Sequence, residues 1–220
     1  NYGIALPQSR TAGSIAEAVG AAEHIGFPVA LKIRSRDILH KTEAGGVALG
    51  LQDGDAVEAA AQALVASARA KAPDARIDGF LVQEMVSGVE AIVGARSDPL
   101  YGPLLLVGAG GVLVELVEDA ALRLLPATAD DVRAMVDGLK LARLLSGFRG
   151  RPAANRTALE ATALALGRFF LDHRAKIRDI ELNPLMVRPQ PGSPRPDRAS
   201  RADAAGAVAV DVRVLWREDD

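Results

Sequence analysis

The chain has 220 residues, of which 49% are hydrophobic and 25% are charged, and its formal net charge is −2. This is the composition of an ordinary globular protein of one or two domains, and the charge gives no electrostatic case for nucleic acid or a membrane surface as a partner. The absence of cysteine excludes disulfides, thiolate zinc sites and cysteine nucleophiles. The sequence shows no signal peptide and no apolar run of about 18 residues, so we expect a cytoplasmic protein.

The first third of the chain predicts two helices and two strands. In chain order they are a helix capped by Ser14 with Glu17, the alternating strand FPVALKI, the return strand GVALGL, and a helix of about residues 55–72 capped by Asp55 with Glu58. In FPVALKI the aliphatic residues point one way and Lys32 points the other way.

The rest of the chain mixes strands and helices. The predicted strands are GFLVQEMV, SGVEAIVGAR, GPLLLVGAGG, ALRLLPA, IRDIELNPLMV and AVAVDVRVLW, and the helices begin at Thr128 with Asp131 and at Thr157 with Glu160. This order predicts an α+β (α/β) protein with two lobes, residues 1–84 and 85–220, that meet near residues 83–88. We expect residues 189–205, which are rich in Pro, Arg and Ser, to form an exposed loop.

A phosphate site is one interpretation of the segment after FPVALKI. Gly45 and Gly46 can adopt positive φ and expose main-chain N–H groups, and Lys41 adds a positive charge beside them. Lys32 precedes them in mid-strand. The alternatives are a hairpin glycine pair and a solvated lysine on an outer face. The chain contains no GxxxxGK[ST], and the glycines of GAGGVLVE have the wrong spacing for GxGxxG, so neither of these nucleotide motifs applies.

His40 is the residue of this segment that could act in catalysis, because imidazole is a nucleophile at neutral pH and can be phosphorylated reversibly. The alternative is an idle histidine on an exposed loop. His24 and His173 are predicted on helix surfaces, and no HExxH pattern links the three histidines.

The two closing strands predict a cluster of oxygen donors. Glu181 and Asn183 share one face of IELNP, and Asp211 interrupts the polar face of AVAVDVRV, whose other face carries the alternating valines. If the two strands pair antiparallel, the three side chains converge, and oxygen donors without His or Cys suit Mg²⁺. The alternative is that Glu181 and Asp211 are solvated. Asn183 is harder to explain in that way, because Asn is depleted in strands.

Taken together, the chain resembles the ATP-grasp domain of NDP-forming acyl-CoA synthetases, which are relatives of the succinyl-CoA synthetase β subunit. The resemblance covers almost the whole chain in order: YGIALP, FPVALKI, SRDILHKTEAGGV, GFLVQEMVSGVEAIVGARSDPLYGP, VGAGGVLVEL, LLSGFRGRPA, IELNPLMV and AVAVDVRV. It implies the ATP-grasp fold, in which a nucleotide is held between two lobes.

The resemblance also assigns site residues. Lys32 would reach the nucleotide phosphates, and the segment around Gly45 and Gly46 would form the flap above them. In the hinge QEMV, which includes Met85, the Glu84 carbonyl and the Val86 N–H would read the adenine edge. Glu90 would bind the ribose hydroxyls. Asn183 and Asp211 would bind magnesium, and Glu181 would be a third ligand or would support the other two.

The reaction implied by the resemblance is a phosphoryl relay through His40. An acyl-CoA and phosphate would form an acyl phosphate on a partner CoA-ligase domain, a partner histidine would take the phosphoryl group, and His40 would pass it to Mg-ADP to make ATP. Ser35 and Arg96 are further phosphate candidates. Arg149 lies in a family block without a defined role, and Glu115 follows the glycine turn.

The CoA-binding and CoA-ligase domains of the family are absent from this sequence, so we expect them on a partner subunit or in a longer parent chain. The start at Asn1 rather than at methionine favours a longer parent. Two other hypotheses stay open: a ligand-sensing ATP-grasp domain of a protein acyltransferase, and an ATP-grasp ligase that forms an acyl phosphate directly and joins it to an amine.

Overall fold

The computed structural model describes residues 2–38, 45–111, 119–148, 150–192 and 205–217. The chain divides into two compact units. Pro7–Met85 form one unit, here called the N-unit, and the segments up to Leu6 and from Val86 onward form the other, here called the C-unit. None of the helices in the described ranges is long and apolar enough to cross a lipid bilayer.

The described part of the N-unit is an antiparallel four-stranded sheet with two helices. Its elements are β1 (Ser9–Ala12), α1 (Ile15–Ile25), β2 (Val29–Arg34), β3 (Val47–Leu51), α2 (Gly54–Lys71) and β4 (Gly79–Glu84), and the strand order is β1-β4-β2-β3. Aliphatic side chains of β2 and β4 pack with α1 and α2 in one core, which includes Leu31, Ile33, Val57 and Leu64. The predicted pairing of FPVALKI with GVALGL is present as β2 and β3.

The helix starts of the N-unit confirm one sequence prediction and correct another. Ser14 caps α1, and its Oγ accepts a hydrogen bond from the Glu17 N–H at 3.2 Å. The cap of α2 is Asp53, whose Oδ1 accepts from the Ala56 N–H at 2.8 Å, so the prediction of Asp55 was wrong by two residues. Asp55 lies in the first turn instead, where its negative charge favours the positive end of the helix dipole.

The C-unit is a larger antiparallel sheet with three helices among its described residues. Its elements are β5 (Val89–Asp98), β6 (Gly102–Ala109), β7 (Ala120–Leu124), α3 (Ala129–Asp137), α4 (Leu141–Leu145), α5 (Arg156–His173), β8 (Ile177–Val187), β9 (Ala207–Ala209) and β10 (Val212–Trp216). The strand order is β10-β8-β5-β6-β7, and β9 pairs with the second half of β8.

One face of the C-unit sheet packs on the core, and the predicted polar site residues lie on the other face. Ala91, Val93 and Ala95 of β5 pack into a core with Leu166 and Phe170 of α5. Because side chains alternate along a strand, Glu90 and Arg96 lie on the opposite face of β5, and both are exposed. We call this the open face.

Two predictions about the C-unit need correction, although Thr128 does form the predicted capping box with Asp131. The cap of α5 is Asn155 rather than Thr157, because the Asn155 Oδ1 accepts from the Ala158 N–H at 3.1 Å. The final strand is not continuous. It divides into β9 and β10 around Asp211, so that Val208 is fully buried whereas Val212 is 42% exposed.

Candidate functional site

The interruption between β9 and β10 is the point where Asp211 meets Asn183. The two strands pair antiparallel with β8, which is the condition on which the predicted cluster depends, with Val212 opposite Leu182 on one side and Ala209 opposite Leu185 on the other. Between these pairs, the Asn183 N–H donates to the Asp211 main-chain oxygen at 3.1 Å. The antiparallel register therefore places Asp211 directly across from Asn183.

Pro184 gives a physical reason for the interruption. Proline has no N–H, so β8 cannot donate a ladder hydrogen bond at this position. The Pro184 carbonyl still accepts from the Val210 N–H at 3.2 Å, and this bond holds the connecting residues in place. The polar residues thus lie where the last strand of the chain is interrupted along β8.

The Asn183 side chain is hydrogen-bonded at both ends. Its Nδ2 donates to Glu181 Oε1 at 3.3 Å, and its Oδ1 accepts from the Gly111 N–H at 3.2 Å. The second oxygen of Glu181, Oε2, lies 3.3 Å from Nη2 of Arg213 on β10. Glu181, Asn183, Gly111 and Arg213 therefore form one connected network, here called the Asn183 network.

Glu90 adjoins this network through the glycine turn after β6. The Gly110 N–H donates to the Glu90 main-chain oxygen at 2.9 Å. Gly111 has a φ of +66°, and a Cβ built on it would overlap the Glu90 carboxylate. The absence of a side chain at residue 111 thus allows Glu90 to lie directly against the turn that holds Asn183.

The oxygen donors fit a hard divalent cation. Asn183 offers an amide oxygen and Asp211 an exposed carboxylate, while Glu181 is already bound by Arg213 and Asn183. No group of three or more His, Cys, Asp or Glu that could hold a metal occurs in the described ranges. This set still suits Mg²⁺, which is usually bound by one or two carboxylates and completes its shell with water and phosphate.

In the N-unit, Lys32 lies in the middle of β2, between Leu81 of β4 and Val47 of β3. It is only 8% exposed, so it is not a solvated lysine on an outer face. A buried ammonium group is costly unless other groups compensate its charge, which makes this position unusual for lysine.

The segment before β3 is only partly described. Gly45 has a φ of +65°, as a phosphate nest or a turn requires, and the Gly46 oxygen accepts from the Ile33 N–H at 2.8 Å. The Ser35 Oγ accepts from the Asp37 N–H at 3.1 Å, which forms a local turn. The predictions for His40, Lys41, Glu115 and Arg149, and for most of the 189–205 loop, fall outside the described residues.

The boundary between the units falls between Met85 and Val86, within the predicted hinge and one residue after the predicted lobe boundary. The segment up to Leu6 belongs to the C-unit rather than to the predicted N-terminal lobe. The Glu84 carboxylate accepts from the Gln8 N–H at 2.8 Å, so this side chain holds β4 to the segment that leads into β1. Val86 packs with Met186 and Val208 in a small cluster of its own.

Sequence reasoning missed Gly111 and Arg213. Arg213 lies two residues after Asp211, and the alternation that singled out Asp211 places Arg213 on the same face, so a signal was present. Gly111 belongs to a glycine turn that no sequence pattern connects with Asn183. Arg96, a phosphate candidate, is exposed on the open face opposite Asp179, without a described contact to the Asn183 network.

A separate cavity of about 220 Å³ lies beside α4, with Leu141, Leu144 and Phe148 in its wall. The wall also includes Asp119, whose carboxylate accepts from the N–H groups of Lys140 and Leu141 at 2.8 Å each. None of the predicted site residues lines this cavity. The polar network on the open face, rather than the cavity, is therefore the candidate site.

Comparison with known proteins identifies the family. The ATP-grasp domain family matches residues 1–192. The β subunit of the ADP-forming acetate–CoA ligase II of Pyrococcus furiosus is 33% identical over 217 residues, which cover 98% of this chain and 86% of the subunit. The ADP-forming acetate–CoA ligase I of Archaeoglobus fulgidus is 38% identical over 187 residues, and the chain spans about a quarter (27%) of its length.

Solved structures agree with this assignment. The acetyl-coenzyme A synthetase 1 of Candidatus Korarchaeum cryptofilum, in complex with coenzyme A and Ca-AMPCP, matches with a TM-score of 0.86 and 34% identity, over 98% of this chain and 88% of that chain. A second structure, with Mg-AMPPCP and a phosphohistidine segment pointing towards the nucleotide-binding site, matches with a TM-score of 0.76. The chain therefore belongs to the ATP-grasp domain family and has the β subunits of ADP-forming acetate–CoA ligases among its relatives.

Proposed function

We propose that the chain is the nucleotide-binding part of an ADP-forming acyl-CoA ligase, which interconverts acid, ATP and CoA with acyl-CoA, ADP and phosphate. The observation that carries the proposal is the pairing of Asn183 with Asp211 beside Glu90. This arrangement offers oxygen ligands and a carboxylate next to a glycine turn, as a magnesium nucleotide requires. The match to a β subunit over 86% of its length supports the same assignment.

The residues of each unit have distinct roles in this proposal. Lys32 neutralises phosphate charge, and Glu90 accepts hydrogen bonds from the ribose hydroxyls. Asn183 and Asp211 hold Mg²⁺, which would neutralise charge on the phosphate oxygens during transfer. The main chain of Glu84 and Val86 reads the adenine edge. Each assignment rests on the family resemblance together with the position of the residue in its own unit.

The proposed chemistry is a relay through His40. The N–P bond of a partner phosphohistidine breaks as an N–P bond to His40 forms. A terminal β-phosphate oxygen of ADP then attacks phosphorus, so that an O–P bond forms, the His40 N–P bond breaks, and the imidazole returns to its neutral form. The thioester chemistry, the choice of acid and the first phosphohistidine belong to the partner CoA-binding and CoA-ligase domains, in trans or in the parent chain.

Phosphoryl transfer from ATP to the chain tests the proposal. The chain is incubated with Mg²⁺ and γ-labelled ATP, and we expect acid-labile, base-stable label that is lost in His40→Asn. His24→Asn is the matched control, because His24 is an exposed histidine on α1, and it should label like the wild type. Label that persists in His40→Asn, or a chain that binds nucleotide without becoming labelled, would contradict the relay.

A further inference from the structure

The ion pair between Arg213 and Glu181 is a part of the open face that has no role in the function proposed above. Arg213 is directly opposite Glu181 in the pairing of β10 with β8, and its Nη2 lies 3.3 Å from Glu181 Oε2. The other oxygen of the same carboxylate, Oε1, accepts from Asn183 Nδ2. Glu181 thus connects Arg213 to the side chain that would bind the metal ion.

The orientation of the Asn183 amide decides whether it can bind a cation. Only Oδ1 has lone pairs for a metal ion, whereas Nδ2 can only donate hydrogen bonds. The two neighbours of the amide distinguish its ends. The Gly111 N–H can only donate and therefore selects Oδ1, and the Glu181 carboxylate accepts and therefore selects Nδ2. Because an amide oxygen accepts two hydrogen bonds, Oδ1 keeps one lone pair for a cation.

Arg213 affects the Asn183 amide by neutralising the charge of the Glu181 carboxylate and by fixing its orientation. Without the Arg213 guanidinium at Oε2, the Glu181 carboxylate would be attracted to a metal ion beside Asn183. That attraction would compete with the hydrogen bond that Glu181 accepts from Asn183 Nδ2. With Arg213 in place, Oε2 is engaged and Oε1 stays directed at the amide. Groups that hydrogen-bond metal ligands in this way set ligand orientation and metal affinity.

We propose that Arg213 is a positioning residue of the metal site, which acts through Glu181 to keep the Asn183 oxygen directed at the cation. The inference rests on the proposed function, because it assumes that Asn183 and Asp211 bind Mg²⁺. It assigns Glu181 to orienting Asn183 rather than to binding the metal.

Exposure separates this role from a purely structural one. The Arg213 side chain is 47% exposed and that of Glu181 is 27% exposed, and ion pairs of this kind add little to folding stability. Loss of Arg213 should therefore alter metal affinity much more than thermal stability.

Binding of Mn²⁺, a spectroscopic substitute for Mg²⁺, tests the inference on the full chain in the presence of ADP. Free Mn²⁺ is measured by electron paramagnetic resonance, and unfolding is followed by circular dichroism. Arg213→Met should weaken Mn²⁺ binding about 10-fold, the lower end of the range for groups that support metal ligands, and Arg213→Lys should restore most of it. Arg123→Met is the matched control. It removes an arginine–carboxylate pair, Nε to Asp131 Oδ1 at 3.7 Å, from β7 of the same sheet, and it should leave Mn²⁺ binding unchanged.

A double substitution tests whether Arg213 acts through Glu181. Glu181→Gln keeps an oxygen for Asn183 and removes the charge that Arg213 contacts, so adding Arg213→Met to it should weaken Mn²⁺ binding no further. Tighter binding in Arg213→Met would show that Arg213 only competes with the cation, and that outcome overturns the inference. Unchanged binding in Arg213→Met, or fully additive losses in the double variant, would overturn it as well.

Asp211→Asn distinguishes the failure of this inference from the failure of the proposed function. If Asp211→Asn weakens Mn²⁺ binding and Arg213→Met does not, only the role of Arg213 is refuted. If the wild-type chain with ADP binds no Mn²⁺, or Asp211→Asn binds it as tightly as the wild type, the metal site itself is refuted, and the inference falls with it.

Discussion

The N-unit and the C-unit hold their proposed nucleotide-binding residues by different physical means. In the N-unit, Lys32 is one charge in the buried strand β2, and charge acts over several ångströms without demanding exact contact. In the C-unit, Asn183 is a neutral group, and its proposed role as a metal ligand depends on the hydrogen bonds to Gly111 and Glu181 that orient its amide. A single substitution should therefore remove one favourable interaction in the N-unit, whereas in the C-unit its effect should spread through neighbouring residues.

Asp211→Asn should have the largest effect of the substitutions that sharpen this contrast. It replaces a carboxylate ligand by a weaker amide ligand. We therefore expect the Mg²⁺ concentration needed for half-maximal ADP binding to rise by roughly 100-fold, as much as the largest losses caused by removing groups that support metal ligands. Isothermal titration of ADP at a series of Mg²⁺ concentrations measures this value. An unaltered Mg²⁺ dependence would remove Asp211 from the metal site.

Lys32→Ala should weaken nucleotide binding by about 1.5–3 kcal/mol, the usual value of charge-assisted hydrogen bonds, which corresponds to about 10- to 150-fold. Because Lys32 acts on phosphate and not on the metal ligands, the Mg²⁺ dependence of the remaining binding should stay as in the wild type. The same titration measures both quantities. Lys176→Ala, which removes an exposed lysine of the C-unit, is the control. If Lys32→Ala changed the Mg²⁺ dependence without weakening ADP binding, Lys32 would act on the metal ion, and the contrast between the two units would be wrong.

Gly111→Ala should weaken binding of ADP by roughly 10-fold, because the new Cβ displaces the Glu90 carboxylate and disturbs the N–H that holds Asn183. The wild type should prefer ADP to 2′-deoxy-ADP, and this preference should shrink in the variant. Gly102→Ala is the matched control, since Gly102 also has positive φ, +81°, but has no atom within 4 Å of its Cβ position. Equal losses in the two variants would attribute the effect to backbone strain alone.

The smallest effect concerns the pH dependence of stability at the start of α3. The hydrogen bonds from the Thr128 side chain and main chain, together with the charge of Arg123, lower the pKa of Asp131 below its usual value. A lowered pKa in the folded state gives stability that is present above the unfolded-state pKa, near 3.9, and is lost as the pH falls through the folded-state pKa.

Asp131→Asn should therefore lower the melting temperature at pH 7 and make little difference in strong acid. Circular dichroism melts between pH 7 and pH 2 measure this difference, with Asp130→Asn, a first-turn residue outside the capping box, as the control. A deficit that is as large at pH 2 as at pH 7 would show that the Asp131 charge is not responsible.

Local patterns predicted most of the elements and some of their ends. Ser14 and Thr128 were identified because each precedes an acidic residue by three positions, and the structure shows both caps. Asp55 and Thr157 fit the same pattern, but the helices are capped by Asp53 and Asn155, each two residues earlier. A sequence pattern cannot choose between two candidate capping residues that lie two positions apart, because tertiary packing decides at which residue the helix starts.

The site was predictable where it follows from strand register and unpredictable where it follows from packing between distant segments. If the two closing strands pair antiparallel, alternation along them places Asn183 and Asp211 on the same face, and the structure shows these two residues paired through the main chain. The same alternation places Arg213 on this face, but an arginine is not an oxygen donor and so does not belong to a predicted metal cluster. The contact of Gly111 with Glu90 joins residues that share no sequence pattern, so no periodicity could reveal it.

The edge of the C-unit sheet also suggests a place for protein engineering. β8 is paired on one side of the interruption with β10 and on the other side with β9, and Arg188 and Gln190 are held by further main-chain hydrogen bonds, so the alignment of Asp211 with Asn183 is set by these bonds rather than by the length of the connection between Gly192 and Ala205. Lengthening or shortening that connection should leave the alignment intact. A reporter peptide or affinity tag inserted within it would then mark the protein a short distance along the chain from the nucleotide chemistry without disturbing it.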